Sequence, residues 1–114
     1  MVKCYDVVSM VTDEATSQFG SLWKVNESRQ NQLKYSCELI DKFAEECGGI
    51  AYDVDVDDIT MELSVAIECE EMIVDSRDSV FYALLKRAKG LKFGSSGANL
   101  CIKLSFDSIW DKVI

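Results

Sequence analysis

The sequence predicts an α+β domain, an antiparallel sheet of about four strands with helices packed on one of its faces. Three observations carry this. Leu33, Cys37, Ile40, Ala44 and Cys47 recur at three- and four-residue steps, the spacing of one helical face. From Ile50 to Cys69, and again from Leu100 to Phe106, apolar residues alternate with polar ones at the period of a half-buried strand. Turn and stop signals separate these stretches, including Gly48-Gly49 and Gly90.

At the N-terminus, the β-branched residues between Val2 and Val11 predict a strand. Thr12-Asp13-Glu14 then opens a short helix from Asp13 to Trp23, although Val8, Val11, Ala15, Phe19 and Leu22 also share a helical face. The next helix runs from Glu27 to Cys47, with Asn26 as its N-cap and Gly48-Gly49 as its left-handed exit. Ile50 to Asp57 and Ile59 to Cys69 form a hairpin. A tight turn at Asp57-Asp58 would set Val56 opposite Ile59, Val54 opposite Met61, Tyr52 opposite Leu63 and Asp53 opposite Glu62. Asp-Asp is a poor dipeptide for such a turn, so a longer loop with slipped pairing is the alternative.

A further helix spans Ser76 to Lys89, placing Phe81, Leu84, Leu85 and Ala88 on one side, bases at its end and Gly90 after it. Leu91 to Gly97 reads as a flexible loop rich in glycine and serine. A strand follows over Leu100 to Phe106, and Asp107 caps a short terminal helix offering Ile109, Trp110 and Val113 to the core. The whole order, β-α-β-β-α-β plus a terminal helix, is that of a split βαβ or ferredoxin-like sandwich.

The 114 residues fit one domain, 1–114, without linker, repeat or proline. A net charge of −8 opposes direct binding to phosphate backbones, so no nucleic-acid ligand is expected. No segment has the length and apolarity of a membrane span, and no membrane partner is expected. The five cysteines, Cys4, Cys37, Cys47, Cys69 and Cys101, are odd in number and widely spaced. That pattern fits reduced, mostly buried thiols and a cytoplasmic location rather than a disulfide framework.

Chemistry is constrained by what is missing. The chain has no histidine, which removes the commonest general base and histidine-dependent triads, so the protein is expected not to be an enzyme and to need no cofactor or metal. Asp53 and Glu62 as an acid–base pair read better as a solvated sheet face. Asp53 to Asp57 superficially suggests a calcium loop, but Asp58 stands where glycine is required and Ser64 where a bidentate glutamate is required. The Lys89 to Gly97 segment follows a helix and enters a strand, the reverse of a phosphate loop. Phe19, Trp23 and Trp110 read as core aromatics rather than an exposed hot spot.

What the chain does have is charge segregation. No base occurs between Lys42 and Arg77, and no acid between Ser79 and Phe106. The expected function is a non-catalytic acidic interaction module. Its face carries Asp53, Asp55, Asp57, Glu62, Glu68 and Glu70, and it engages a basic protein surface. Another copy's Lys86, Arg87, Lys89 and Lys92 would be one such surface. Two alternatives stand beside this: a nucleic-acid-mimicking inhibitor of phage or mobile-element type, and a small-molecule-binding domain or enzyme with its site between sheet and helices.

Overall fold

A computed structural model describes residues 3–48, 51–70 and 80–114. The chain orders its elements as α1 (Cys4–Phe19), β1 (Trp23–Val25), α2 (Glu27–Glu46), β2 (Ala51–Val56), β3 (Leu63–Cys69), α3 (Val80–Arg87), β4 (Gly90–Ser96), β5 (Asn99–Phe106) and β6 (Trp110–Lys112). It is an α+β fold. The main sheet has four strands in the order β2-β3-β5-β4, every neighbouring pair antiparallel, and β1 with β6 forms a separate two-stranded ribbon.

α2 forms where the apolar spacing places it. The Asn26 side chain accepts from Arg29 N at 3.1 Å, and Leu33, Cys37, Leu39, Ile40, Phe43 and Ala44 are buried along one face. Gly48, at φ +68, provides the left-handed exit. Gly49 and Ile50 lie outside the described residues, as do Ser76 to Ser79 of the expected helix start, so α3 is described from Val80. Its buried residues, Phe81 and Leu84, lie on the side expected, and Phe81 packs against Phe43 of α2 at 5.5 Å between ring centroids.

Of the strand expected over Val2 to Val11, Val2 lies outside the described residues and the stretch from Cys4 is helical, continuous with the residues beyond Asp13; the helix ends at Phe19 rather than Trp23. Cys4, Val8, Thr12 and Ala15 are buried at three- and four-residue steps, so tertiary burial overrides the local preference of β-branched residues. No local side chain caps this helix. Its first orphan amide, Cys4 N, donates to Asp41 Oδ1 of α2 at 2.9 Å, and Tyr52 Oη donates to the same oxygen at 2.7 Å. The β-α-β-β-α-β order therefore fails at its first strand. One split crossover survives: β5 lies between β3 and β4, which makes these two strands parallel and α3 the connection between them.

Two further expectations are corrected. Leu91 to Gly97 is not a loop, because residues up to Ser96 form edge strand β4, paired with β5 from Gly90↔Ser105 to Ser96↔Asn99. The turn is confined to Gly97-Ala98, with Gly97 at φ +61. The terminal helix is also absent: Trp110 to Lys112 pairs with β1, which buries Ile109 and Trp110 but leaves Val113 exposed. Trp110 Nε1 donates to Thr16 Oγ1 of α1 at 3.2 Å, so the ribbon is held against the first helix.

The core lies between helices and sheet. Leu63, Val65, Ile67 and Cys69 of β3 and Ile102, Leu104 and Phe106 of β5 are buried, while the alternate positions are not. Among the described residues no helix covers the opposite face of the sheet, where Asp53, Asp55, Lys92 and Lys103 are exposed.

Candidate functional site

The feature that positions charge is the pairing register of β2 and β3. Asp57 does not end a two-residue turn. Its Oδ1 accepts from Ile59 N at 2.8 Å and Thr60 N at 2.9 Å, and Met61, at φ +60, turns the chain back so that Asp57 N donates to Glu62 O at 2.9 Å. Val56 consequently pairs with Leu63, Val54 with Val65, Tyr52 with Ile67 and Asp53 with Ala66. The register is displaced by four residues from the tight-turn expectation. Because that displacement is even, every side chain within β2 and β3 keeps its face. The expected Asp53–Glu62 pair does not exist, and Ile59, expected to face Val56, is exposed.

The uncovered face can be read row by row from the register. One row runs Asp53, Ala66, Lys103, Lys92 from β2 to β4, and the next runs Asp55, Ser64, Ser105, Gly90. On the other side of the first row, Glu68 pairs with Cys101 and Cys101 with Gly94. Acids thus occupy the β2–β3 half of the face and lysines the β5–β4 half, with small side chains between them. Asp53, Asp55, Lys92 and Lys103 are exposed. Among the described residues the ion pairs are Arg29–Asp111, Lys89–Glu62 and Lys89–Asp107, and none of these four charges takes part. The Asp53 backbone stands two strand spacings, about 10 Å, from that of Lys103 and about 14 Å from that of Lys92, and no direct ion pair joins them.

The expected acidic surface is therefore dispersed. Asp53, Asp55 and Glu68 share the open face, where Glu68 accepts from Asn99 Nδ2 at 3.0 Å. Asp57 is committed to its own turn, and the two amides donated to it hold its carboxyl below the usual carboxylate range. Glu62 is paired with Lys89 in the approach to β3, and this contact raises the Lys89 pKa. Glu70 lies past β3, beside Gly48 at the exit of α2. The expected basic patch divides likewise. Lys92 joins the open face, Lys89 is paired with Glu62 and Asp107, and Lys86 and Arg87 end α3 on the helical side. Lys103, which sequence reasoning did not single out, is the central base of the face; its alternation with Ile102 and Leu104 was the available signal.

Arg87 and Lys86 border a half-open cleft of about 350 Å³ between α2, the end of α3 and the chain after β5. Arg29 completes its cationic rim, Asp107 adds one carboxylate, and Leu33, Phe106 and Ile109 supply apolar lining. Arg87 Nη1 donates to Gln32 Oε1 at 2.9 Å and its guanidinium lies 4.2 Å from the Tyr35 ring centroid. Arg29 Nη1 donates to Ser108 O at 2.6 Å and Nη2 pairs with Asp111. The expected aromatics separate, with Trp110 buried and Phe19 and Trp23 partly buried at the edge of the core.

Cys4, Cys37, Cys47 and Cys69 are buried and Cys101 is half-buried. The Cys4 thiol is raised by its contact with Cys37 and then by burial, and burial also raises Cys69; neither is a poised nucleophile. Among the described residues no group of three or more Cys, Asp or Glu side chains is placed to hold a metal ion, and no helix is long and apolar enough to cross a membrane. Comparison with protein-family models, with curated proteins and with solved structures finds no match.

Proposed function

We propose that this chain is a non-catalytic protein-interaction module whose binding surface is the open face of the β2-β3-β5-β4 sheet. The observation that carries the reading is the set of four exposed, unpaired charges divided across that face, Asp53 and Asp55 on one side and Lys92 and Lys103 on the other. A partner with the opposite division would pair all four at once, whereas a partner of the wrong polarity meets like charges, which gives orientation as well as attraction. The lysines replace the uniformly basic partner expected from sequence with one of mixed charge. They also argue against mimicry of nucleic acid, which needs carboxylates without intervening cations. The reduced thiols support a reducing compartment such as the cytoplasm.

The test is retention of host proteins on the immobilised chain at low and high salt, for wild type, D53K/D55K and K92E/K103E. Proteins held by wild type at low salt should be released by salt and lost from both variants. Equal retention by all three forms removes the open face from function.

The cationic cleft favours a second reading, a site for a small organic anion whose apolar body lies on Phe106 and Ile109 while its charge meets Lys86 and Arg87. Calorimetric titration with benzoate and with inorganic phosphate, against wild type and K86A, tests it. Heat that is absent from wild type, or unchanged in K86A, removes it.

A further inference from the structure

Resting on the reading of the open face as a protein-binding surface, we infer that its partner is a second copy of this chain. The two sheets stack face to face about a two-fold axis parallel to the strands. The argument is geometric. A rotation about that axis keeps each residue in its row but reverses the strand order, so β2 lies over β4 of the partner subunit and β3 over β5 of the partner subunit. Asp53 and Lys92 end the same row. The operation therefore places Asp53 against the partner's Lys92 and Lys92 against the partner's Asp53, while the partner's Lys103 comes over Ala66, beside Asp53. A two-fold axis across the strands would instead lay β2 on β2 and oppose acid to acid. Asp53 and Lys92 are self-complementary for one orientation, in which the two Lys103 side chains flank the axis between the aspartates, and self-repulsive for the other; a closed isologous contact requires such self-complementary pairs.

Small residues on the face allow close approach. Ser64, Ala66 and Ser105 on the central strands and Gly90 and Gly94 on edge strand β4 present little or no side chain, and a Cβ built on Gly94 would meet nothing within 4 Å. Stacked sheets commonly lie ~10 Å apart with larger residues interleaved. Here the central Lys103 stands over the small Ala66 of the partner subunit, and the small residues around it let the flanking Asp53 and Lys92 reach across. The footprint of four strands is roughly 450 Å² per copy, below the about 800 Å² per partner of standard stable interfaces. The dimer is accordingly weak and held largely by charge, so it dissociates in salt.

Sedimentation equilibrium of the full chain and its variants tests this. Wild type should be in monomer–dimer exchange at low salt and monomeric at high salt. D53K and K92D, each alone, place like charges at both symmetric contacts and should weaken dimerisation about tenfold or more. An equimolar mixture of D53K with K92D restores opposite charges at both contacts and should recover the wild-type constant, as should the D53K/K92D double variant. Failure of the mixture to recover, or single variants that dimerise like wild type, overturns the stacking. Circular dichroism of each variant confirms that the fold is intact, and the salt dependence of wild type is independent of any substitution. A monomeric wild type that still retains other proteins in a charge-dependent manner overturns this inference and leaves the preceding function standing. A monomer that retains nothing removes both.

Discussion

Met61 illustrates how one residue sets the position of many. It is fully buried and yet adopts φ +60, a conformation unfavourable to any side chain with a Cβ. Burial of its side chain holds it there, and the Asp57 carboxylate supplies the acceptors that keep the turn closed. The substitution series should therefore run against the usual order. M61A loses the buried side chain and keeps the backbone penalty, a cost of about 2–5 kcal/mol, whereas M61G loses the side chain but relieves the backbone and should be about 1 kcal/mol more stable than M61A. Urea denaturation of the three proteins measures this, and an alanine variant more stable than the glycine variant would contradict it. Asp57 adds a pH signature. Its folded-state pKa is lowered, so its contribution is present above the ordinary aspartate pKa and is lost as pH falls through the lowered value. D57N should flatten the acid limb of the stability profile and lower stability near neutrality by an amount that does not vary with pH there, which urea denaturation across the acid and neutral range measures.

Among the elements, those whose signals lie within their own residues were legible. α2 carries its cap, its apolar face and its glycine exit within 23 consecutive positions, Asn26 to Gly48, and it forms with the expected N-terminus. β5 shows its alternation directly, and the acid-bearing face of β2 was correctly read because a four-residue slip preserves sidedness. The elements that were not legible depend on distant partners. α1 starts on an amide capped by Asp41, 37 residues away, so no local cap marked it. β4 has no bulky alternation on its open side, and its Gly90 and Gly94 resemble loop residues until β5 is beside them. β6 is specified by β1 and by a junction at the start of α2. There Asn26 N donates to Ile109 O at 2.7 Å, Asn26 Nδ2 donates to Asp111 Oδ2 at 3.0 Å, and Arg29 pairs with Asp111. Asn26 thus caps α2 and fixes the ribbon together. N26A should cost about 1–2 kcal/mol, the upper part of the range for a lost cap, because the ribbon contact goes with it. W110A, which empties a site between ribbon and α1, should cost about 3–5 kcal/mol. Thermal denaturation of both variants checks the ranking, and a larger loss for N26A would place the ribbon's stability in the junction rather than in Trp110.

Across the molecule, the same sheet that supplies the core also presents the charged face, so stability and binding share a scaffold but not residues. β3 and β5 are paired on both sides and bury Leu63, Val65, Ile67, Ile102 and Leu104. β4 is paired on one side only, and Phe93, whose register puts it on the helical face, remains 53% exposed at the edge. Opening β4 thus uncovers little apolar surface, while opening β3 or β5 uncovers the core. Amide hydrogen exchange should accordingly give three levels. Amides of β3 and β5 that are bonded between central strands should exchange only through global unfolding, the β4 amides bonded to β5 should exchange by a cheaper local opening, and the β1–β6 ribbon should fall with whichever unit Trp110 belongs to. W110A separates the last two cases, because it should accelerate exchange in β1 and β6 while leaving the ratio between β4 and β3 unchanged. Equal protection in β3, β4 and β5 would show that edge strand β4, which carries Lys92, unfolds only with the core.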